Sequence, residues 1–311
     1  MAADPVLQAF DLSKRFKSRI AVDRLNLTVP RGEIFGFLGP NGAGKSTTIR
    51  MFLSLIAPTS GRVELFGKPL NRHRAEGLAR VGGLVERADF YLYLSARRNL
   101  EIVAALIGKA ASGTIDTVLE IVGLRDRAED KVKTYSHGMK QRLGIAQALL
   151  GAPEFIILDE PTSGLDPIGI KEVRDLIRKL SVEQTITVLL SSHLLSEIEQ
   201  TATSMAIINA GKLIVQGKVK DLLEERDALV RIDATPMEEV LRIINEHRLA
   251  KSASISGQIV EAAMSPSDVP ALARHLVEGG VAIRALIPRR SLEEYFLSLT
   301  EQAETPRKDR A

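Results

Sequence analysis

The sequence contains no cysteine. Disulfides, thiolate metal sites and cysteine nucleophiles are therefore excluded, and the composition fits a reducing cytosol. No apolar run approaches the roughly twenty residues that span a bilayer, so any membrane work is expected of another chain. Met1-Ala2-Ala3-Asp4-Pro5 joins no basic start to an apolar core, and no signal peptide is expected there. Charge of one sign is scarce as well. The 42 Lys+Arg against 39 Asp+Glu leave +3, too little to argue for nucleic acid despite a pI near 9.1. There is no internal repeat and no low-complexity tract. What remains is ordinary globular composition, 45% hydrophobic and 26% charged over 311 residues. That length suits one large or two modest domains.

The stretch that organises the chain is Gly39-Pro40-Asn41-Gly42-Ala43-Gly44-Lys45-Ser46-Thr47. It fits the phosphate-loop pattern G-x-x-x-x-G-K-[ST] at every fixed position. The apolar run 34–38 precedes it and reads as a buried strand. Residues 47–55 follow, with Ile49, Phe52, Leu53 and Ile56 at helical spacing. The glycines let successive N–H groups turn toward one anion, and the helix N-terminus adds its positive end. Lys45 is expected to reach the β- and γ-phosphates of a bound nucleotide, and the Ser46 hydroxyl to ligate Mg²⁺. The bland alternative is a glycine turn that binds nothing.

Residues 155–158 form a short, wholly apolar run, as expected of a central parallel strand. It ends in Asp159-Glu160-Pro161. Two adjacent carboxylates at a buried strand end are costly to desolvate, and a bound cation offsets that cost. Asp159 is expected to hold Mg²⁺ through water, and Glu160 to polarise an attacking water as general base. The alternative is two solvated turn acids. A second central strand, 186–190, ends at Ser191-Ser192-His193, which puts His193 at the same sheet edge. Phe16, at a strand end upstream of the loop, either packs in the core or stacks on adenine. Ser136 and Gly138 open a helix over 138–150. Ser136 is either a simple N-cap or part of a second anion site.

Strands over 6–10 and 25–29 suggest a small antiparallel layer against a parallel core. Further strands are expected over 63–66 and 81–85. Helices over 96–107, 114–122 and 138–150 with no strand between them suggest a helical subdomain over about 87–150. A loop with Phe90, Tyr91 and Tyr93 leads into it. Residues 204–209 and 212–216 read as a hairpin around Ala210-Gly211. After a charged helix over 221–226 the pattern resets. The order β-α-β-β-α-β over about 226–300 suggests a ferredoxin-like unit, closed by a helix over 291–299. Residues 301–311 are polar and basic and are expected to be disordered. The fold class is thus α/β, a phosphate-loop NTPase with a small C-terminal α+β domain. Domain bounds are set at 1–225, 226–300 and 301–311.

With these residues in place, the chain resembles the ATPase subunit of an ATP-binding cassette (ABC) transporter over roughly residues 5–225. Gly39 to Thr47 is similar to the Walker A loop, and Phe155 to Glu160 to Walker B with its catalytic glutamate. Ser163 to Asp166 is similar to the D-loop, His193 to the switch histidine, and Phe16 to the adenine-stacking position. Tyr135-Ser136-His137-Gly138-Met139 takes the place of the signature Leu-Ser-Gly-Gly-Gln, keeping only its serine and second glycine. Glu86 stands where the family has glutamine as a ligand to Mg²⁺ and the water. Both departures are similar to those of exporter ATPases of the bacitracin- and lantibiotic-resistance type. The resemblance implies a head-to-tail homodimer or pseudo-dimer of ATPase domains, with ATP between one phosphate loop and the other's signature helix. It implies a separate transmembrane permease, and a cytoplasmic subunit held peripherally on the inner membrane face. The rivals are a soluble ABC ATPase working on DNA or ribosomes and a non-enzymatic nucleotide-dependent regulator. No long coiled coil or second cassette supports the first. Asp159, Glu160 and His193 weigh against the second.

Overall fold

A computed structural model of the chain describes residues 4–86, 88–108, 112–224 and 228–289. In chain order its elements begin with β1 (Pro5–Phe16), β2 (Arg19–Pro30), β3 (Ile34–Leu38), α1 (Lys45–Phe52), β4 (Ser60–Leu65), β5 (Lys68–Pro69), α2 (Arg74–Leu78) and β6 (Val81–Leu84). Then come α3 (Ala96–Leu106), α4 (Ser112–Ile121), α5 (His137–Leu149), β7 (Phe155–Leu158), α6 (Pro167–Val182), β8 (Thr187–Ser192), α7 (Leu195–Thr201), β9 (Ser204–Asn209) and β10 (Lys212–Lys218). The remainder is α8 (Val219–Glu224), β11 (Ala228–Thr235), α9 (Met237–Glu246), β12 (Ser252–Ser256), β13 (Ile259–Met264), α10 (Val269–Glu278) and β14 (Ala282–Arg289). Contacts divide the chain into two compact units, Met1–Val219 and Lys220–Ala311. Among the described residues no helix is long and apolar enough to cross a membrane.

In the first unit a six-stranded sheet runs in the order β10-β9-β3-β8-β7-β6. Its five strands from β9 to β6 pair in parallel, and β10 joins as an antiparallel edge. The central strands β3, β7 and β8 are buried at every position, which is why β3 and β7 and the 188–190 stretch of β8 read as apolar runs. A second, antiparallel sheet, β2-β1-β4-β5, lies over the shared core, where Phe35, Phe37 and Phe52 meet Leu7, Leu12 and Leu25. The opening hairpin is longer than the alternation suggests. Asp11 sits at φ 46 and shifts the register between Ala9 and Leu12, so a bulge hides one twelve-residue strand. Asn26 accepts from the Asp11 N–H at 3.0 Å and holds the bulge. Helix α1 starts two residues earlier than its apolar spacing, because Gly44 caps it at φ 106. Pro167 opens α6 with Asp166 as N-cap, accepting from the Gly169 N–H at 2.8 Å.

In the second unit the order is β12-β13-β11-β14, all antiparallel. Helices α9 and α10 cover one face, packing Val240, Ile243, Leu272 and Leu276 on Val230, Ile232, Val260 and Ala262. First and third strands adjacent at the centre is the ferredoxin-like arrangement expected from the element order. The expected helix over 291–299 and the tail 301–311 lie outside the described residues.

Candidate functional site

The site forms where the parallel strands end. Chain leaving β3 must turn sharply under β9. At Gly39 a Cβ would lie 2.4 Å from the Ile208 carbonyl oxygen and 2.9 Å from the Ala43 Cβ. Gly44, at φ 106, would bring a Cβ within 2.5 Å of the Ala21 carbonyl oxygen. Both positions therefore need glycine, one for space and the other for conformation as well. The loop closes on itself through Lys45, whose buried ammonium donates to the carbonyl oxygens of Gly39 at 2.7 Å and Pro40 at 3.4 Å.

Strands β7 and β8 are neighbours, so their ends deliver Asp159, Glu160, Ser191 and His193 to one place. A single hydroxyl fixes both acids. Ser191 Oγ donates to Asp159 Oδ1 at 2.5 Å and accepts from the Glu160 N–H at 2.9 Å. Asp159 is buried, while Glu160 sits at φ 48, which swings its side chain across the site. Glu160 Oε1 lies 3.4 Å from Lys45 Nζ and Oε2 lies 3.3 Å from His193 Nδ1. Lysine, glutamate and histidine thus converge from three separate loops. Behind them Glu197 Oε2 on α7 accepts from Thr162 Oγ1 at 2.7 Å and from Ser192 Oγ at 2.8 Å. It ties the segment after Glu160 to the segment before His193.

Two cavities flank this centre and share Ser46 and Glu160. One, of about 370 Å³, is lined by Phe16, Arg19, Asn41, Gly42, Lys45 and Thr47. Phe16 is 47% exposed at its mouth, so the core reading of that residue does not hold. The other, of about 310 Å³, is lined by Glu86, Asp159, His137, Gln141 and Ser163. The Glu86 carboxylate pairs with Arg50 on α1. Hydroxyl and carboxylate oxygens of Ser46, Glu86, Asp159 and Glu160 are the hard donors that suit Mg²⁺. Among the described residues no three acidic or histidine groups are arranged to hold an ion unaided. An ion held here would need further ligands, such as phosphate and water, which is magnesium's preferred mode.

Ser136 and Gly138 are not among the residues lining either cavity. Ser136 caps α5, its Oγ accepting from the Met139 N–H at 3.2 Å. The neighbouring Tyr135 is buried, and its hydroxyl donates to the Arg127 carbonyl oxygen at 2.6 Å. Burial pushes that phenol above its ordinary range. A tyrosine in place of leucine is therefore accommodated as an anchored core residue. Arg19, Arg50, Ser191 and Glu197 were not singled out by sequence reasoning. Each is a common residue type with no local pattern, and only distant chain segments give it a partner or a place.

The ABC transporter family profile matches residues 22–163. The bacitracin transport ATP-binding protein BcrA of Bacillus licheniformis is 43% identical over 296 residues, covering 94% of this chain and 97% of that protein. The lantibiotic transport ATP-binding protein SrtF of Streptococcus pyogenes is 39% identical over 211 residues, covering 68% and 90%. Among solved structures, the dimeric post-hydrolysis ATP-binding cassette MJ0796 bound to ADP and Pi aligns with a TM-score of 0.61 at 25% identity, covering 68% of this chain and 98% of that one.

Proposed function

The chain belongs to the ABC transporter ATP-binding family, and we propose that it powers export through a separate membrane permease by hydrolysing ATP at the centre built from Lys45, Glu160 and His193. ATP binding and hydrolysis follow from the family. The assignment of steps to residues rests on one observation: Glu160 stands between Lys45 and His193, with its backbone fixed by the hydroxyl that also holds Asp159.

Phe16 offers its exposed ring to adenine. The loop N–H groups from Gly42 to Ser46 and the N-terminus of α1 receive phosphate oxygens. Lys45 leaves the Gly39 and Pro40 carbonyls for the phosphates, which frees Glu160 from its ammonium. Glu160 then accepts a proton from the attacking water as that oxygen bonds to the γ-phosphorus and the bond to the ADP oxygen breaks. His193 holds the water and the γ-phosphoryl oxygens in line. Magnesium, when bound by Ser46 and Asp159 with Glu86 beside them, neutralises charge on the β- and γ-phosphates.

Helix α5 places His137 and Gln141 in the second cavity, while Ser136 and Gly138, at its capped, anion-friendly N-terminus, line neither. This supports a head-to-tail pair in which one subunit's Ser136 and Gly138 close on the ATP held by the other, and the dimeric likeness agrees with it. The permease docks at the loop after Glu86, where Tyr91, Leu92 and Tyr93 are each about half exposed or more. That attachment makes the subunit peripheral on the inner membrane face. Kinship with the bacitracin transport protein BcrA and the lantibiotic transport protein SrtF supports a cargo of that kind.

Replacing Glu160 by Gln tests the reading. Mg·ATP binding is retained, turnover falls by about 10²–10⁴, and a dimer accumulates with ATP on size exclusion. Hydrolysis at the wild-type rate removes Glu160 from the role of base.

A further inference from the structure

Arg19 has no role in the steps above, yet it lines the same cavity as Phe16, Gly42, Lys45 and Glu160. Its position is set by the β1–β2 hairpin. Phe16 and Arg19 are register partners across the two-residue turn Lys17-Ser18, with Lys17 at φ 51. A tight turn with fixed register puts the aromatic ring and the guanidinium side by side at the cavity mouth. The guanidinium reaches the phosphate loop. Arg19 Nη2 lies 3.7 Å from the point that a Cβ on Gly42 would occupy. Gly42 lacks that atom, so the space between them is open.

Arg19 is also unpaired. Arg31, Arg80 and Arg97 each hold a carboxylate at 2.6–2.8 Å. Among the described residues the Arg19 side chain has neither an ion pair nor a hydrogen bond. A guanidinium that faces an anion cradle and has no carboxylate of its own is complementary to a phosphate, which its planar fork contacts through two N–H groups. Lys45 approaches the loop from the sheet side, where it is buried. Arg19 approaches from the hairpin side, where it is exposed.

We propose that Arg19 is a nucleotide-binding residue: it donates to a phosphate oxygen of the nucleoside triphosphate from the side opposite Lys45, so that one hairpin tip holds both base and phosphate. This rests on the reading of the 370 Å³ cavity as the ATP site.

The test compares Arg19→Ala, Arg19→Lys and Lys45→Ala in the full chain. Mg·ATP affinity is read by displacement of a fluorescent ATP analogue, and KM and kcat by hydrolysis. Arg19 has no partner to lose, so Arg19→Ala is expected to keep the wild-type melting temperature. It should raise Kd and KM for Mg·ATP about tenfold, the low end for a charge-assisted hydrogen bond, and leave kcat within about twofold. Arg19→Lys keeps the charge without the fork and should recover part of the loss. The gap should shrink as salt is raised. Unchanged Kd and KM in Arg19→Ala overturn the proposal, as does a fall in kcat alone, which would place Arg19 against a partner subunit. Lys45→Ala separates the two levels of the argument. Wild-type Mg·ATP binding in that variant overturns the ATP-site reading itself. Loss there, with Arg19→Ala intact, overturns only the assignment of Arg19.

Discussion

Removing the charge of Glu154 should destabilise the first unit without touching catalysis. Glu154 directly precedes β7. Its carboxylate receives Arg80 at 2.6 and 2.8 Å as a fork and Arg31 at 2.8 Å. Arg80 also lies 3.7 Å from the centre of the Phe66 ring. The bonds from Arg80 first and Arg31 second hold the Glu154 pKa at about 2, against an ordinary 4.5. At about 1.4 kcal/mol per pKa unit the full shift is worth roughly 3 kcal/mol. The side chain is 43% exposed, and solvent screening reduces this to about 1 kcal/mol. The pKa is depressed, so the stabilisation is complete above pH 4.5 and lost as pH falls toward 2. The assay is urea unfolding followed by circular dichroism, with wild type and Glu154→Gln compared at intervals from pH 7 to pH 3. Urea is chosen because it is uncharged. The expected gap is about 1 kcal/mol at pH 7, narrowing below pH 4.5 and shrinking in high salt. ATP hydrolysis should not change, since Glu154 sits at the opposite end of β7 from Asp159. A gap below about 0.3 kcal/mol at pH 7, or one that stays constant down to pH 3, would refute the argument.

Two further substitutions probe the site. Gly44→Ala forces a Cβ to within 2.5 Å of the Ala21 carbonyl oxygen at φ 106; it should cost about 2 kcal/mol or more of stability and weaken Mg·ATP binding at least tenfold in the displacement assay. Glu197→Ala frees the Thr162 and Ser192 hydroxyls; kcat should fall about tenfold with KM for ATP within about twofold, and Glu197→Gln, which keeps an acceptor oxygen, should restore most of the rate. A parallel rise in KM would mean that Glu197 acts on binding instead.

The phosphate loop could be read directly because a backbone cradle is made from one contiguous segment, and its glycines and lysine are fixed by local geometry. The buried strands were equally plain, since strands covered on both faces are mostly apolar, and polar residues such as Ser191 and Ser192 enter only where a partner awaits them. The ferredoxin-like unit followed from element order, because few sheet arrangements satisfy β-α-β-β-α-β. Alternation alone understates the hairpin because a bulge at Asp11 breaks it without a glycine to mark the place.

Residue type and spacing therefore marked the candidate phosphate loop and the strand ends that carry acids. They could not fix who stands next to whom across the sheet. Ser191 reaches Asp159 from 32 residues away, Glu197 reaches Thr162 from 35, and Arg80 reaches Glu154 from 74. Those contacts exist because β6, β7 and β8 are neighbours, and β pairing is a long-range choice with no local signature. Arg19 is the sharpest instance. In the chain it is one exposed arginine among many, and the fold alone sets it beside Gly42.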